Sequence, residues 1–171
     1  MINIATALVS FLLTSFYSLQ VQDVNSNTIN MSGFQGKKVL LVNIASNSSM
    51  VNQIGELQQL NEQFGDSLVV IAFPSNSFGN EPKTNAEIKQ FCEATYNSTF
   101  IIASKGSVSG SGLLPVYDWL SKATDNGDAD LLIAGDFQKV LIAKDGSIQG
   151  VFSPKVSPLH TSIIQAINTN Y

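Results

Sequence analysis

The chain contains no arginine, one cysteine and one histidine among its 171 residues. Each shortage removes a class of chemistry. Without arginine there is no planar guanidinium fork, the side chain that clamps carboxylates and phosphates bidentately. A lone cysteine, Cys92, excludes an internal disulfide, a CxxC redox pair and a cysteine-built metal site. A lone histidine, His160, excludes a histidine cluster for zinc, so no metal cofactor is expected. Charge is also sparse: nine lysines face thirteen carboxylates, for a net charge of −4. That balance offers no basic footprint for nucleic acid or for an anionic membrane surface. No apolar run is long enough to span a bilayer. The longest candidate, Ile4 to Leu13, is broken by Thr6 and Ser10.

What is present describes one globular domain. The length suits a single core, and 44% hydrophobic with 13% charged residues is a folded composition. Residues 1–14 form an apolar leader and residues 15–171 the domain. Two readings of the leader stand. It is the h-region of an export signal, placing the protein in the periplasm or outside the cell, or it is an N-terminal extension of a cytoplasmic protein. Small residues such as Ser15 and Ser18 suit cleavage, whereas the missing basic n-region does not. Three Asn-x-Ser/Thr sequons begin at Asn30, Asn47 and Asn97, as expected by chance in a chain this rich in Asn and Ser.

The periodicities give an element order. Leu19 to Gln22 and Thr28 to Met31 alternate apolar and polar residues about a turn-rich link, predicting a β-hairpin. Val39 to Ile44 is a continuous apolar run, as for a strand covered on both faces. Ile54, Leu57, Leu60 and Phe64 recur at helical spacing, and Gly65-Asp66 stops that helix. Leu68 to Phe73 is a second buried strand, followed by a loop from Pro74 to Pro82. Thr84-Asn85-Ala86-Glu87 is a capping box that opens a helix through Tyr96. A short strand is expected next, then a helix from Leu113 to Ala123 and an acidic loop from Asp125 to Asp130. Phe137 to Ala143 and Ser147 to Phe152 flank Asp145-Gly146, a strong hairpin signal. Ser157-Pro158 predicts the start of a last helix carrying Leu159, Ile163 and Ile167 on one face. Strand-helix-strand implies a parallel pair, and the late hairpin adds antiparallel strands to the same sheet. The predicted class is α/β: a thioredoxin-like fold with a mixed central sheet, helices on both faces and an N-terminal β-hairpin.

Several separated segments, in order, resemble the glutathione peroxidase family. Val42-Asn43-Ile44-Ala45-Ser46-Asn47 is similar to that family's Val-Asn-x-Ala-Ser-x, which precedes its nucleophilic cysteine or selenocysteine. Ser15-Phe16-Tyr17, Gly36-Lys37-Lys38-Val39, Phe73-Pro74-Ser75-Asn76-Ser77-Phe78-Gly79-Asn80 and Glu87-Ile88-Lys89-Gln90-Phe91-Cys92 match further segments. So do Val108-Ser109-Gly110, Pro115-Val116-Tyr117 with Leu120, and Phe137-Gln138-Lys139 with Lys144-Asp145-Gly146. The resemblance covers Ser15 to Ile167. It implies reduction of hydrogen peroxide and organic hydroperoxides, with glutathione or thioredoxin as the reductant and no bound cofactor. The short loop from Thr124 to Leu131 resembles the monomeric branch of the family.

The resemblance also puts every member of the family's catalytic tetrad in a changed form. The peroxidatic cysteine position is Ser48, the glutamine position Ser77, the tryptophan position Gly135 and the asparagine position Asp136. Cys92 falls at the resolving-cysteine position of thioredoxin-dependent members. Peroxide reduction needs a thiolate that becomes a sulfenic acid, and a serine hydroxyl has neither the acidity nor the oxidation ladder. Three readings follow. The chain is a pseudoenzyme retained for binding a ligand or a protein partner; or it is a redox enzyme working through Cys92; or Ser48 serves a hydrolase, which requires a general base beside it. His160, in the last helix, is not expected near Ser48. Asp136 is expected either to hydrogen-bond Ser48 or to be a solvated loop carboxylate. Cys92 shares an apolar helix face with Ile88 and Phe91, which suits an inert core thiol.

Overall fold

A computed structural model describes residues 13–169. The apolar leader lies outside the described residues except for Leu13 and Thr14. At that end, the Trp119 indole donates to the Thr14 carbonyl at 2.6 Å and the Thr14 amide to the Asp125 carbonyl at 2.9 Å.

The hairpin is β1 (Gln20–Gln22) against β2 (Thr28–Asn30), antiparallel, and forms a small sheet of its own. The Asp23 carboxylate closes its turn by accepting from the Asn25 and Asn27 amides, both at 2.8 Å. The main sheet holds β3 (Lys38–Ile44), β4 (Leu68–Pro74), β5 (Ile101–Ile102), β6 (Lys139–Ile142) and β7 (Ile148–Phe152), in the order β5-β4-β3-β6-β7. The pairs β3–β4 and β4–β5 are parallel; β3–β6 and β6–β7 are antiparallel. Every residue of β3 is buried. Leu40, Val42 and Ile44 enter one apolar cluster, with α1 (Gln53–Phe64), α2 (Asn85–Tyr96) and α5 (Thr161–Asn168). Val39 and Leu41 enter the other, with the hairpin and α3 (Pro115–Leu120). The period-2 alternation of side chains thus feeds two cores from one strand.

Local chemistry fixes the helix ends. Thr84 caps α2 through the predicted capping box with Glu87, and the helix ends at Asn97 in the left-handed region. Gly65, at φ +48, stops α1. Gly146, at φ +93, turns the β6–β7 hairpin, whose Ala143 amide donates to the Ser147 carbonyl at 2.9 Å.

Three expected boundaries are corrected. The helix expected over 113–123 is two short pieces, α3 and α4 (Ala123–Asn126). The chain turns between them at Lys122, which is extended, and the Asp130 carboxylate accepts the Ala123 amide at 2.6 Å. The strand expected from Phe137 begins only at Lys139, because Phe137 has φ +64 and does not extend the ladder. The last helix begins at Thr161, not after Ser157. Ser157 instead donates to the Glu56 carboxylate at 2.6 Å, and its carbonyl accepts the His160 amide at 2.9 Å. Ser157-Pro158 thus makes a turn. His160 caps α5, its Nδ1 accepting the Ser162 amide at 3.2 Å.

The buried carboxylate of Glu81, 1% exposed, joins the two loops that leave β3 and β4. It accepts the Ser46 amide and the Ser46 hydroxyl, both at 2.8 Å, and the Lys83 amide at 3.1 Å. Glu81→Ala leaves these donors unpaired in the interior. The expected loss is about 2–4 kcal/mol of unfolding free energy, read by urea denaturation; a loss below about 0.5 kcal/mol is the result that contradicts the clamp.

Candidate functional site

Ile44 pairs with Pro74 in the parallel β3–β4 register, so the loops that follow leave the sheet side by side. The first carries Ser48 and winds through turns into α1. The Ser48 amide donates to the Ala45 carbonyl at 3.3 Å, and the Val51 amide to the Ser48 carbonyl at 3.1 Å. Ser48 is buried, 6% exposed. Its Oγ accepts one long bond, from the Met50 amide at 3.4 Å. Among the described residues, no carboxylate, imidazole or ammonium hydrogen-bonds this hydroxyl.

Asp136 is buried, 3% exposed, so the expectation of a solvated loop carboxylate is corrected. It does not bond Ser48 either. Its Oδ2 accepts from the Asn80 side-chain amide at 2.6 Å, while Oδ1 has no partner among the described residues. The reason lies one strand away. Asn43, fully buried at the end of β3, grips this loop twice: its Nδ2 donates to the Gly135 carbonyl at 3.0 Å, and its own carbonyl accepts the Phe137 amide at 2.7 Å. That grip holds the 135–137 segment against the sheet.

Asn80 is a residue that sequence reasoning did not single out. Its carbonyl accepts the Asn47 amide at 3.0 Å, while its side chain reaches Asp136. It therefore connects the loop of Ser48 to the loop of Asp136. Its neighbour Glu81, equally unremarked, holds the same loop at Ser46. The one signal for Glu81 was a carboxylate directly before proline in a loop otherwise free of charge.

Ser77 belongs to a different local network. Exposed on the second loop, its Oγ accepts from the Val108 amide at 3.1 Å and the Ser109 amide at 3.3 Å. Gly135 is half-buried; a Cβ built there lies 3.5 Å from the Pro154 ring, an ordinary contact. The structure thus brings Ser48, Gly135 and Asp136 to one end of the sheet through Asn43 and Asn80, while the Ser77 hydroxyl is spent on the 107–109 loop.

Cys92 lies fully buried in the core among α1, α2, α5 and the sheet. Burial pushes its thiol up to about 12, with Glu81 and then Glu93 adding in the same direction. A thiol in this state is the opposite of the ionised, accessible form needed for attack. His160 sits exposed at the start of α5, engaged with Ser162, and gives Ser48 no base. No cluster of three or more His, Cys, Asp or Glu suited to a metal ion occurs among the described residues.

Behind the site, the Lys139 ammonium is fully buried. It donates to the Val156 carbonyl at 2.6 Å and the Pro154 carbonyl at 3.1 Å, fixing the segment whose proline packs on Gly135. Burial lowers its pKa to about 8, and Glu56 opposes the shift. The sign follows from linkage. Between pH 8 and the unfolded lysine value of about 10.4, the unfolded chain holds a proton that the folded chain has released, so this group's contribution to stability rises with pH. The cost of burying the charged form is fully present below pH 8. Measured against Lys139→Met, the parent's urea midpoint is expected to gain between pH 7.5 and 9.5; a constant difference contradicts the assignment.

Known proteins place this architecture. The family model for glutathione peroxidase matches residues 16–121. A probable phospholipid hydroperoxide glutathione peroxidase 6 of Arabidopsis thaliana is 39% identical over 150 residues, covering 85% of this chain; the chain spans only 63% of that relative. A glutathione peroxidase of Lactococcus lactis is 35% identical, over 84% of this chain and 92% of its own. A crystal structure of an apo protein named Trgpx superposes with a TM-score of 0.68 at 30% identity, covering 92% of this chain and 97% of that one. A thioredoxin-family thiol:disulfide interchange protein of Chlorobium tepidum shares the fold at 14% identity, with a TM-score of 0.64 and 92% and 98% coverage. With its thioredoxin-like sheet and a family match over most of the folded domain, the chain belongs to the glutathione peroxidase family.

Proposed function

We propose that this chain is a member of the family in which thiol-dependent peroxide reduction is absent or very weak, retained as a binding or regulatory protein. The observation that carries this reading is the pairing of a hydroxyl at position 48 with a lone thiol sealed in the core. Reduction of a hydroperoxide at cysteine breaks the O–O bond, forms a sulfenic acid and releases water or an alcohol. Ser48 has no sulfur to oxidise. Cys92 has one, but its raised pKa and full burial keep the thiolate fraction and the access small. The relatives are named for glutathione peroxidase or peroxiredoxin activity. If that chemistry persists here, its substrates are hydroperoxides and its reductant is glutathione or thioredoxin.

Peroxide consumption with either reductant is expected to fall at least about a thousandfold below the Lactococcus lactis relative, on the scale of removing a catalytic nucleophile. Turnover within tenfold of that relative contradicts the reading.

The redox reading through Cys92 separates cleanly. Native protein treated with iodoacetamide at pH 7.5 is expected to stay unlabelled until denatured. Rapid labelling of the folded protein, with peroxide turnover lost in Cys92→Ser, favours the redox enzyme. A hydrolase at Ser48 has no supporting base among the described residues, and a fluorophosphonate probe is expected to leave Ser48 unmodified.

A further inference from the structure

A cleft of about 630 Å³ lies between the loop after β4 and the loop from Lys105 to Ser111. A volume of this size suits a small molecule. Its lining includes Lys83 and Lys105 and the side chains of Ser77, Ser107, Ser109 and Ser111, with no carboxylate and no aromatic ring. On a chain of net charge −4, that is a local excess of positive charge. The absence of carboxylates disfavours an amine or metal cation, and the absence of aromatic faces disfavours a stacked sugar or base.

The two lysines differ. Lys83 holds its ammonium over the Phe91 ring, 5.3 Å from the centroid, so its charge is engaged there. The Lys105 ammonium makes one bond, to the Lys83 carbonyl at 2.9 Å, and joins no ion pair among the described residues. Two of its three protons therefore have no partner among the described residues. The hydroxyls of Ser107, Ser109 and Ser111 likewise have no hydrogen-bond partner among the described residues. Glu87 feels both lysines electrostatically, but its carboxylate is spent on the Thr84 amide and hydroxyl, each at 2.8 Å.

The walls are held in place before any ligand arrives. The Lys105 amide donates to the Asn85 side chain at 2.8 Å, the Gly106 amide to the Pro74 carbonyl at 3.1 Å, and the Val108 amide to Ser77 Oγ at 3.1 Å. Gly106 sits so tightly on Leu114 that a Cβ there lies 2.5 Å from a leucine methyl. A preformed site avoids the ordering cost that otherwise weakens binding.

We propose that this cleft binds a small molecule carrying an oxyanion group, with Lys105 as the charge anchor and the serine hydroxyls as donors. The site needs no reaction at Ser48 and stands whether or not that residue is inert. Without an arginine fork the recognition is by point charge and hydroxyls, so affinity for a bare anion is modest, roughly millimolar.

The test is a ¹H–¹⁵N correlation titration of the full chain with inorganic phosphate and, separately, with acetate, at ionic strength fixed with sodium chloride. Saturable shifts are expected at the amides of 83–85 and 105–111. Tighter phosphate than acetate assigns a phosphate ester as the natural group, and the reverse assigns a carboxylate. Lys105→Gln is expected to weaken binding at least fivefold, Lys105→Arg to retain it, and Lys89→Gln, outside the cleft, to leave it unchanged. If Lys105→Gln disturbs the spectrum globally, Ser107→Ala/Ser111→Ala decides, with at least twofold weakening expected. Shifts spread over Lys37, Lys89 and Lys155 without saturation overturn the proposal, as does parental affinity in a well-folded Lys105→Gln or in the serine double variant.

Discussion

The parallel pairing of β3 with β4 is the constraint on which the functional end of the molecule rests. Seven residues of each strand are in register, from Lys38 with Leu68 to Ile44 with Pro74. Because the strands end level, the loops that follow emerge as neighbours. A carboxylate on one can then satisfy amides on the other. Glu81 does this at Ser46, and the Asn80 backbone carbonyl likewise accepts the Asn47 amide. The Glu81 carboxylate is buried, where an unmade partner is costly and a made one is correspondingly specific. The loop of Ser48 is therefore tied to the loop after β4 at Ser46 and at Asn47, and the Ser48 hydroxyl takes no part in those bonds.

The scaffold around position 48 is held by buried polar contacts. Asn43 braces the 135–137 segment, and Lys139 ties the segment after β7 to β6. What these supports present is a hydroxyl, a half-buried glycine and a buried carboxylate. Asp136 shows how the environment settles a side chain's partner. Placed beside Asn80, it takes a short bond to the amide there and not to Ser48, leaving one oxygen without a protein donor. The 105–111 loop, held by Ser77 and Asn85, forms a separate cleft in which the hydroxyls of Ser107, Ser109 and Ser111 have no partner among the described residues.

Much of the fold was legible because its signals are local. The capping box at Thr84, the glycine stop at Gly65 and the Asp145-Gly146 turn each act within a few residues, and each falls where the sequence put it. Two of the misplaced boundaries are set by contacts beyond the local turn. Asp130 pulls the Ala123 amide and divides the expected helix. Glu56, on α1, takes the Ser157 hydroxyl and delays the last helix to Thr161. The site was half legible. Motif order located Ser48, Ser77, Gly135, Asp136 and Cys92 along the chain, but not their hydrogen-bond partners, because Asn80 and Asn43 contribute through contacts between segments distant in sequence.

The sequence by itself determined the family resemblance, most of the order of elements and the inventory: one thiol, one imidazole, no guanidinium, and a serine at position 48. These are properties of residue identity and spacing, which need no coordinates. Only the tertiary structure decided that Cys92 is sealed in the core, that Asp136 is buried on Asn80, and that Lys105 and a row of serines share one cleft. Burial and partnership depend on which segments the sheet brings together, and the folded register of β3, β4 and β6 sets that.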